Sequence, residues 1–495
     1  MANAVYYLLY LVSGSGMDKC LRIGMMSLVM DKNNSESSVR GLVVAGMSGG
    51  AGKSVVAVGL VAALAQRGIK VRSFKKGPDY IDAGWLSKAA GSPCYNLDPY
   101  LMSEQALLDN FVRHGSESEM LLVEGNRGLY DGVDPEGTYS TAGLAVQLGL
   151  PVLLVVNCTK TTRTVAAMVL GCINLDPRVE ICGVVLNQVG TARHEALVRD
   201  AVERYAKVPV VGAFPRLKDV FPQRHLGVTP CSEHDEAHEA VAMLAAAAEK
   251  YLDIDAVLAL ARKPAVAMND LKEEPKPAPD KKAVRIGVIR DAAFQFYYPE
   301  NLEALVREGA QLIEINSLTD QELPDVDGLY IGGGFPETNA RYLAANSSFR
   351  RSLKDRAESG LPIYAECGGL IYLGESIVLD GEVFPLVGLF PVRYGLEKRP
   401  QAHGYTVLEV DGVNPFYPIG AEICGHEFRY SRILDWPGRV EDLAFSVERG
   451  VGFSGNRDGL VYKNVLALYT HVHAVGVPQW ANALVNKALE WRSGQ

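Results

Sequence analysis

Gly41-Leu42-Val43-Val44-Ala45-Gly46-Met47-Ser48-Gly49-Gly50-Ala51-Gly52-Lys53-Ser54 is the stretch from which the fold of the first half is read. Its first five residues are apolar or small and predict a strand buried on both faces. The glycines that follow free backbone N–H groups to turn inward around phosphate oxygens. An Ala/Val/Leu-rich helix then runs to about Arg67 and stops at Gly68. Strand, glycine-rich turn and helix in this order predict a phosphate-binding loop, spaced Gly-x5-Gly-Lys-Ser, one residue longer than the usual pattern. Gly46, Gly50 and Gly52 are expected to shape the cradle, and Lys53 to reach the β- and γ-phosphates of a nucleotide. Ser54 would offer its hydroxyl to Mg²⁺. The competing reading is a glycine-rich turn with an incidental lysine.

Working outward, apolar runs at 70–74, 120–124, 152–157, 181–186 and 209–212 alternate with helical stretches such as 161–171 and 194–206. That alternation predicts an α/β domain with a parallel sheet covered on both faces. Glu124 closes the run Met120-Leu121-Leu122-Val123-Glu124 and stands where a second ligand for the metal is needed; an ordinary solvated strand cap is the alternative. The following Gly125-Asn126-Arg127-Gly128 predicts a tight loop near the phosphates. Between these lies Phe74-Lys75-Lys76-Gly77-Pro78-Asp79-Tyr80-Ile81-Asp82. Lysines at the carboxyl end of a strand, where open α/β sheets bind ligands, suit a transferred phosphoryl group. Lys75, Asp79 and Asp82 are therefore candidate phosphoryl or substrate residues, against the plainer reading of a charged surface loop.

Residues 264–282 hold four prolines and many charges and predict a solvated linker. The expected organisation is an N-terminal extension over 1–40 with little order, a nucleotide domain over 41–263, the linker, and a second α/β domain over 283–495. In that second half strands are expected near 284–289, 311–315, 328–331 and 362–365, followed by a β-rich section from about 386 to 470. Ile363-Tyr364-Ala365-Glu366-Cys367-Gly368-Gly369 reads as a strand feeding a small-residue turn and an apolar helix, the pattern of a nucleophile elbow. Cys367 would be the nucleophile. N–H groups at Gly368, and at Gly333 within Gly332-Gly333-Gly334, would hold an oxyanion. His471 and His473 lie two apart, so on a strand both face one side; one would contact the thiol while the other orients it or serves the structure. Free cysteines are often inert core residues, but the glycine pair after Cys367 favours the functional reading. His403 and His426 read as ordinary surface or core residues.

A chain of 495 residues exceeds one hydrophobic core. With 48% hydrophobic and 22% charged residues it has a globular composition. A net charge of −9 and no Lys/Arg-rich run argue against nucleic-acid binding. Eight scattered cysteines without paired metal-ligand spacing predict reduced thiols in a cytoplasmic protein. The apolar stretch Val5 to Val12 is short and lacks a preceding basic residue or a clear cleavage site, so a frayed extension is expected there rather than a signal peptide. No stretch has the pattern of a membrane span.

Together these segments resemble the cobyrinic acid a,c-diamide synthase family, a dethiobiotin-synthetase-like ATP domain fused to a class I glutamine amidotransferase domain. The resemblance covers about residues 41 to 490. It is carried by 46–54, 74–82, Tyr95-Asn96-Leu97-Asp98, the segment Glu124 to Gly132, Gly332-Gly333-Gly334-Phe335-Pro336-Glu337, Glu366-Cys367-Gly368-Gly369 and the segment Gly425 to Ser431. It implies a two-site reaction. Cys367, assisted by a histidine, would release ammonia from glutamine, while ATP·Mg²⁺ would phosphorylate a carboxylate of a tetrapyrrole. Ammonia would then displace the phosphate, once on each of two acetate arms. By position His471 corresponds best to the family's base, and His473 falls where related amidotransferases carry a glutamate. Asn126-Arg127 and Asn157 depart from the family's pattern and would mark a subgroup with another macrocycle.

The resemblance leaves three readings: cobyrinic acid as substrate; nickel sirohydrochlorin, amidated at the same two acetates by a sister family; or a partitioning-type ATPase switch with a non-catalytic amidotransferase-like domain. The last fits poorly, because Ser48 stands where such switches carry a lysine and because Cys367 is intact. Cobyric acid synthase is a further relative, from which the segment 77–82 points away. The expected partners are a tetrapyrrole and glutamine, with no nucleic acid or membrane; a homodimer is among the assemblies left open.

Overall fold

The computed structural model describes residues 39–217, 223–224, 227–228, 237–268 and 283–494. The expected extension over 1–40 thus lies, up to residue 38, outside the described residues, as do 269–282 of the expected linker.

The first half is a seven-stranded, wholly parallel sheet: β1 (Arg40–Gly46), β2 (Val71–Lys76), β3 (Tyr95–Leu97), β4 (Met120–Gly128), β5 (Val152–Asn157), β6 (Ile181–Val189) and β7 (Val210–Pro215), in spatial order β3-β2-β4-β1-β5-β6-β7. Central strands of such a sheet are covered on both faces, and Leu42 to Ala45 and Leu121 to Val123 are fully buried. Helix α1 (Lys53–Gln66) is apolar almost all round because it is enclosed between the sheet and α7 (Ala237–Tyr251). Gly59 permits that closeness: a Cβ there would lie 2.8 Å from the Leu244 carbonyl oxygen. The remaining helices are α2 (Tyr80–Ala90), α3 (Glu104–Gly115), α4 (Thr141–Leu148), α5 (Thr164–Leu175), α6 (Ala192–Ala201) and α8 (Ile254–Leu260). The chain after α6 tightens into one π-helical turn, Val202–Ala206, so the helix expected over 194–206 changes winding at its end. Val266 and Met268 pack against the core of this first half.

The second half begins with β8 (Val284–Ile289), β9 (Phe294–Phe296), α9 (Pro299–Arg307), β10 (Ala310–Ile315), β11 (Gly328–Ile331) and β12 (Gly333–Gly334). It continues with α10 (Ala340–Ala345), α11 (Ser347–Glu358), β13 (Ile363–Glu366) and α12 (Gly368–Leu373). Strands β10, β8, β11 and β13, then Val465–Leu468, form a parallel sheet edged by antiparallel Leu460–Tyr462. Antiparallel strands between 402 and 472 form a separate five-stranded sheet that ends at the short strand His471–Val472. The α/β class and the two sheet systems agree with the reading of the sequence.

Two expectations are corrected. Residues 125–128 continue β4 rather than forming a tight loop, with Gly128 registered against Gly46. The strand persists because Thr141 Oγ1 accepts from Asn126 N–H (3.2 Å) and Asp131 accepts from Gly128 N–H (2.7 Å), meeting amides that a loop would leave to water. Nor do His471 and His473 share a strand face. The strand stops at Val472, and beyond it the two-residue period no longer applies.

The halves are joined by buried polar contacts. The Glu300 carboxylate on α9, 1% exposed, accepts from Asn96 N–H (3.0 Å) and Asn110 Nδ2 (3.1 Å) and faces His473 Nε2 at 3.6 Å. Glu300→Ala is expected to strand these donors in the interior and to destabilise the protein by roughly 2–5 kcal/mol. A thermal unfolding midpoint equal to that of the unaltered protein would refute the assignment.

Candidate active site

The phosphate loop lies between β1 and α1. Gly52 takes a φ of 95° and packs so tightly on Asn187 that any Cβ would overlap its amide, while Asn187 Nδ2 donates to Ala51 O at 2.8 Å. Gly49 and Gly50 border open space, which leaves their backbone free to approach a ligand. Lys53 is buried, and burial, reinforced by Lys75, lowers its pKa. Glu124, Asp82 and Asp79 act in the opposite sense.

Ser54 Oγ donates to Glu124 Oε1 at 2.8 Å. Lys75 Nζ lies 3.3 Å from the same oxygen and 2.6 Å from Asp82 Oδ2, and it donates to Gly125 O at 3.2 Å. Burial pushes the Glu124 carboxyl up, with Lys75 opposing. For Asp82 burial acts in the same sense, but Lys75 outweighs it and the pKa falls. Asp79 caps α2, accepting from Asp82 N–H at 2.9 Å. Thus Lys53, Ser54, Lys75, Asp79, Asp82 and Glu124 meet at the carboxyl ends of the central strands. Glu124 Oε2 is buried without a hydrogen-bond partner. A free carboxylate oxygen beside a serine hydroxyl suits a hard divalent cation that takes its other ligands from phosphates and water. Lys76 turns the other way, since neighbouring residues of a strand face opposite sides, and its charged neighbours are Asp98 and Arg127 rather than Asp82 and Glu124.

The second centre is built on the turn between β13 and α12. Cys367 has φ 46° and ψ −95°, a conformation that costs a non-glycine residue about 1–3 kcal/mol and marks a strained elbow. The turn is held by Cys367 N–H donating to Leu468 O (2.8 Å) and Gly369 N–H donating to Gly332 O (3.1 Å). Gly368 abuts the second glycine segment: a Cβ there would be 3.0 Å from Gly334 N. At Gly333 a Cβ would overlap the His471 ring. Gly333, Gly368, Cys367 and His471 therefore converge. His473 does not join them; its Nδ1 accepts from Val475 N–H (3.2 Å) and its Nε2 faces Glu300.

Three contributors escaped the sequence reading. The first is Glu366, fully buried, whose Oε2 lies 3.4 Å from His471 Nδ1 and is fixed by Tyr330 OH (3.2 Å), while its Oε1 accepts from Val472 N–H (3.2 Å). Burial disfavours a charge on His471, but Cys367 and Glu366 outweigh it and push the pKa up to about 10. The second is His426, stacked on His471 with ring centroids 4.9 Å apart and driven well below the ordinary histidine value by burial and then by His471. The third is Tyr80, from the first half, whose ring lies 4.4 Å from Tyr298, 5.1 Å from Phe296 and 5.5 Å from His471. The fixed spacing of Glu366 to Cys367 was a usable signal; the other two had none, since His426 meets His471 only through strand pairing distant in sequence and Tyr80 meets its partners only across the two halves.

A cleft of about 690 Å³ runs between the centres. Asp79 and Asp82 line one part of it and His471 another, with Tyr80, Phe335 and Phe428 along the wall. Among the described residues no helix is long and apolar enough to cross a membrane.

A nucleotide site and a cysteine–histidine centre opening on one cleft define a class: a nucleotide-binding domain joined to a glutamine amidotransferase domain. Residues 42–228 match the family model of the CobQ/CobB/MinD/ParA nucleotide binding domain, and 285–478 that of the CobB/CobQ-like glutamine amidotransferase domain. Relatives with the name cobyrinate a,c-diamide synthase include one from Magnetococcus marinus, 42% identical, with 89% of this chain and 95% of the relative aligned. Another, from Archaeoglobus fulgidus, is 42% identical over 91% and 97%. A third, from Methanothermobacter thermautotrophicus, is 39% identical over 91% and 100%. The chain belongs to the cobyrinate a,c-diamide synthase family.

Proposed function

We propose that this protein amidates the a- and c-acetates of cobyrinic acid, using ATP and ammonia drawn from glutamine. The observation that carries this reading is the cleft lined by Asp79 and Asp82 of one centre and by His471 of the other, because ammonia formed at Cys367 needs a sheltered way to an activated carboxylate. At the second centre the Cys367 thiolate attacks the glutamine amide. N–H groups at Gly333 and Gly368 receive the oxyanion, and His471 gives its proton to the amide nitrogen, so that the C–N bond breaks and ammonia leaves; water then hydrolyses the glutamyl thioester on Cys367 to glutamate. Glu366, rather than His473, orients His471 and keeps it charged.

At the first centre Lys53 and Lys75 neutralise phosphate charge, and Asp79 and Asp82 border the acetate that is phosphorylated. Mg²⁺, held through Ser54 Oγ and Glu124 Oε2, would offset charge on the phosphates. Ammonia attacks the acyl phosphate carbon, phosphate leaves, and the amide remains. A carboxylate requires this activation because its own oxygen is a poor leaving group.

Mass spectrometry of the products tests the proposal. With ATP, Mg²⁺ and glutamine, cobyrinic acid should undergo two successive exchanges of OH for NH₂. Exchange on nickel sirohydrochlorin alone, or on neither macrocycle, would overturn the substrate assignment.

A pH measurement tests the role of Glu366. His471 sits above its ordinary value, so its proton persists through neutral pH and is lost as the pH rises through about 10. Glutamine hydrolysis is expected to fail on that alkaline side. Glu366→Gln should move the limb toward neutrality and slow hydrolysis on the order of 100-fold. An unmoved limb would remove Glu366 from the centre.

A further inference from the structure

Lys76 is a buried cation without an ion-pair partner among the described residues. It is 6% exposed, lies on the cleft wall, and among the described residues has no carboxylate within 4.0 Å. Burial lowers its pKa, with Asp98 as the main opposing charge. Asp98 is itself engaged, accepting from Tyr100 N–H (2.8 Å) and from Tyr405 OH (3.0 Å).

Arg127 borders the same cleft in a strained conformation, φ 52°, held by Asn126 Oδ1 accepting from Arg127 N–H at 2.9 Å. Its guanidinium forms no ion pair or hydrogen bond among the described residues, and it faces His403, whose pKa burial and then Arg127 depress. The other carboxylates of the cleft are occupied. Asp131 takes Gly128 N–H, Glu427 takes Val451 and Gly452 N–H, Asp79 caps α2, and Asp82 pairs with Lys75. An unpaired ammonium in a mostly buried position is unfavourable unless a ligand supplies the counter-charge.

We propose that Lys76 and Arg127 form a carboxylate-binding subsite that seats a non-reacting arm of the polycarboxylate macrocycle while another arm reaches Asp79 and Asp82. This rests on the proposed function, and it adds which residues hold the substrate in register. A planar guanidinium grips a carboxylate through two parallel bonds and an ammonium through a point charge. Tyr80, Phe335 and Phe428 offer flat surface to the ring itself. The subsite reads charge on arms that do not react, so it governs binding and register rather than the phosphoryl step.

The test uses the full chain with Lys76→Met, which keeps the aliphatic stem in its buried slot, Arg127→Leu, the double variant, and Lys76→Arg. Binding of cobyrinic acid and of nickel sirohydrochlorin is titrated without ATP, amide formation is followed kinetically, and thermal unfolding verifies folding. Each single loss of charge should weaken binding of the accepted macrocycle roughly 10- to 100-fold and raise its KM in proportion, with a much smaller change in kcat. Lys76→Arg should recover most of the affinity. Unaltered affinity in the folded double variant would overturn the subsite while leaving the proposed function standing. Failure of the unaltered protein to bind either macrocycle would overturn both.

Discussion

Replacing Cys367 by serine is expected to abolish glutamine-driven amidation, by about 10⁴-fold or more, while synthesis supplied with ammonium salt continues. The asymmetry follows from the two centres. In the proposed reaction Cys367 and His471, paired at the second centre, act only on glutamine, whereas the residues gathered around Lys75 act only on the nucleotide and the acetate. Parallel assays of glutamate release and amide formation separate the effects. If the variant folds and both nitrogen sources fail, the division of labour is wrong.

Replacing Lys53 by alanine should have the complementary outcome. Amidation is lost with either nitrogen source, on the order of 10³-fold, because the phosphate charge loses a cation at close range. Lys75 alone does not replace it, since Asp82 and Glu124 already offset part of its charge. Glutamate release in the same samples keeps the reading specific. Turnover equal to that of the unaltered protein would remove the loop at 46–54 from nucleotide binding.

Both sheets, the phosphate loop and the cysteine turn were legible in the sequence because each is a local pattern with a backbone reason. Gly52 must adopt a positive φ beside Asn187, and Cys367 must turn sharply between a strand and a helix. What stayed hidden depends on tertiary approach. The period of two holds only while a strand lasts, so it misplaced His473, which leaves the short strand and turns to Glu300. The same period, applied to β2, would have separated Lys75 from Lys76. His426 read as an ordinary histidine because nothing near it in the chain reveals that the His471 ring stacks upon it. Tyr80 was hidden for a related reason, since its contacts come from the other half of the molecule.

That last contact has a consequence for anyone recombining members of this family. Asp79 caps the helix at the phosphoryl end, and the next residue, Tyr80, lays its ring against Tyr298 and His471. Two consecutive residues therefore touch both centres. A chimaera cut at the linker would sever no covalent feature of either sheet, yet it would pair a foreign tyrosine with a foreign histidine. Exchangeable modules in this architecture must keep Tyr80 matched to the Tyr298 and His471 of the glutamine-hydrolysing half, although the chain order assigns the tyrosine to the other.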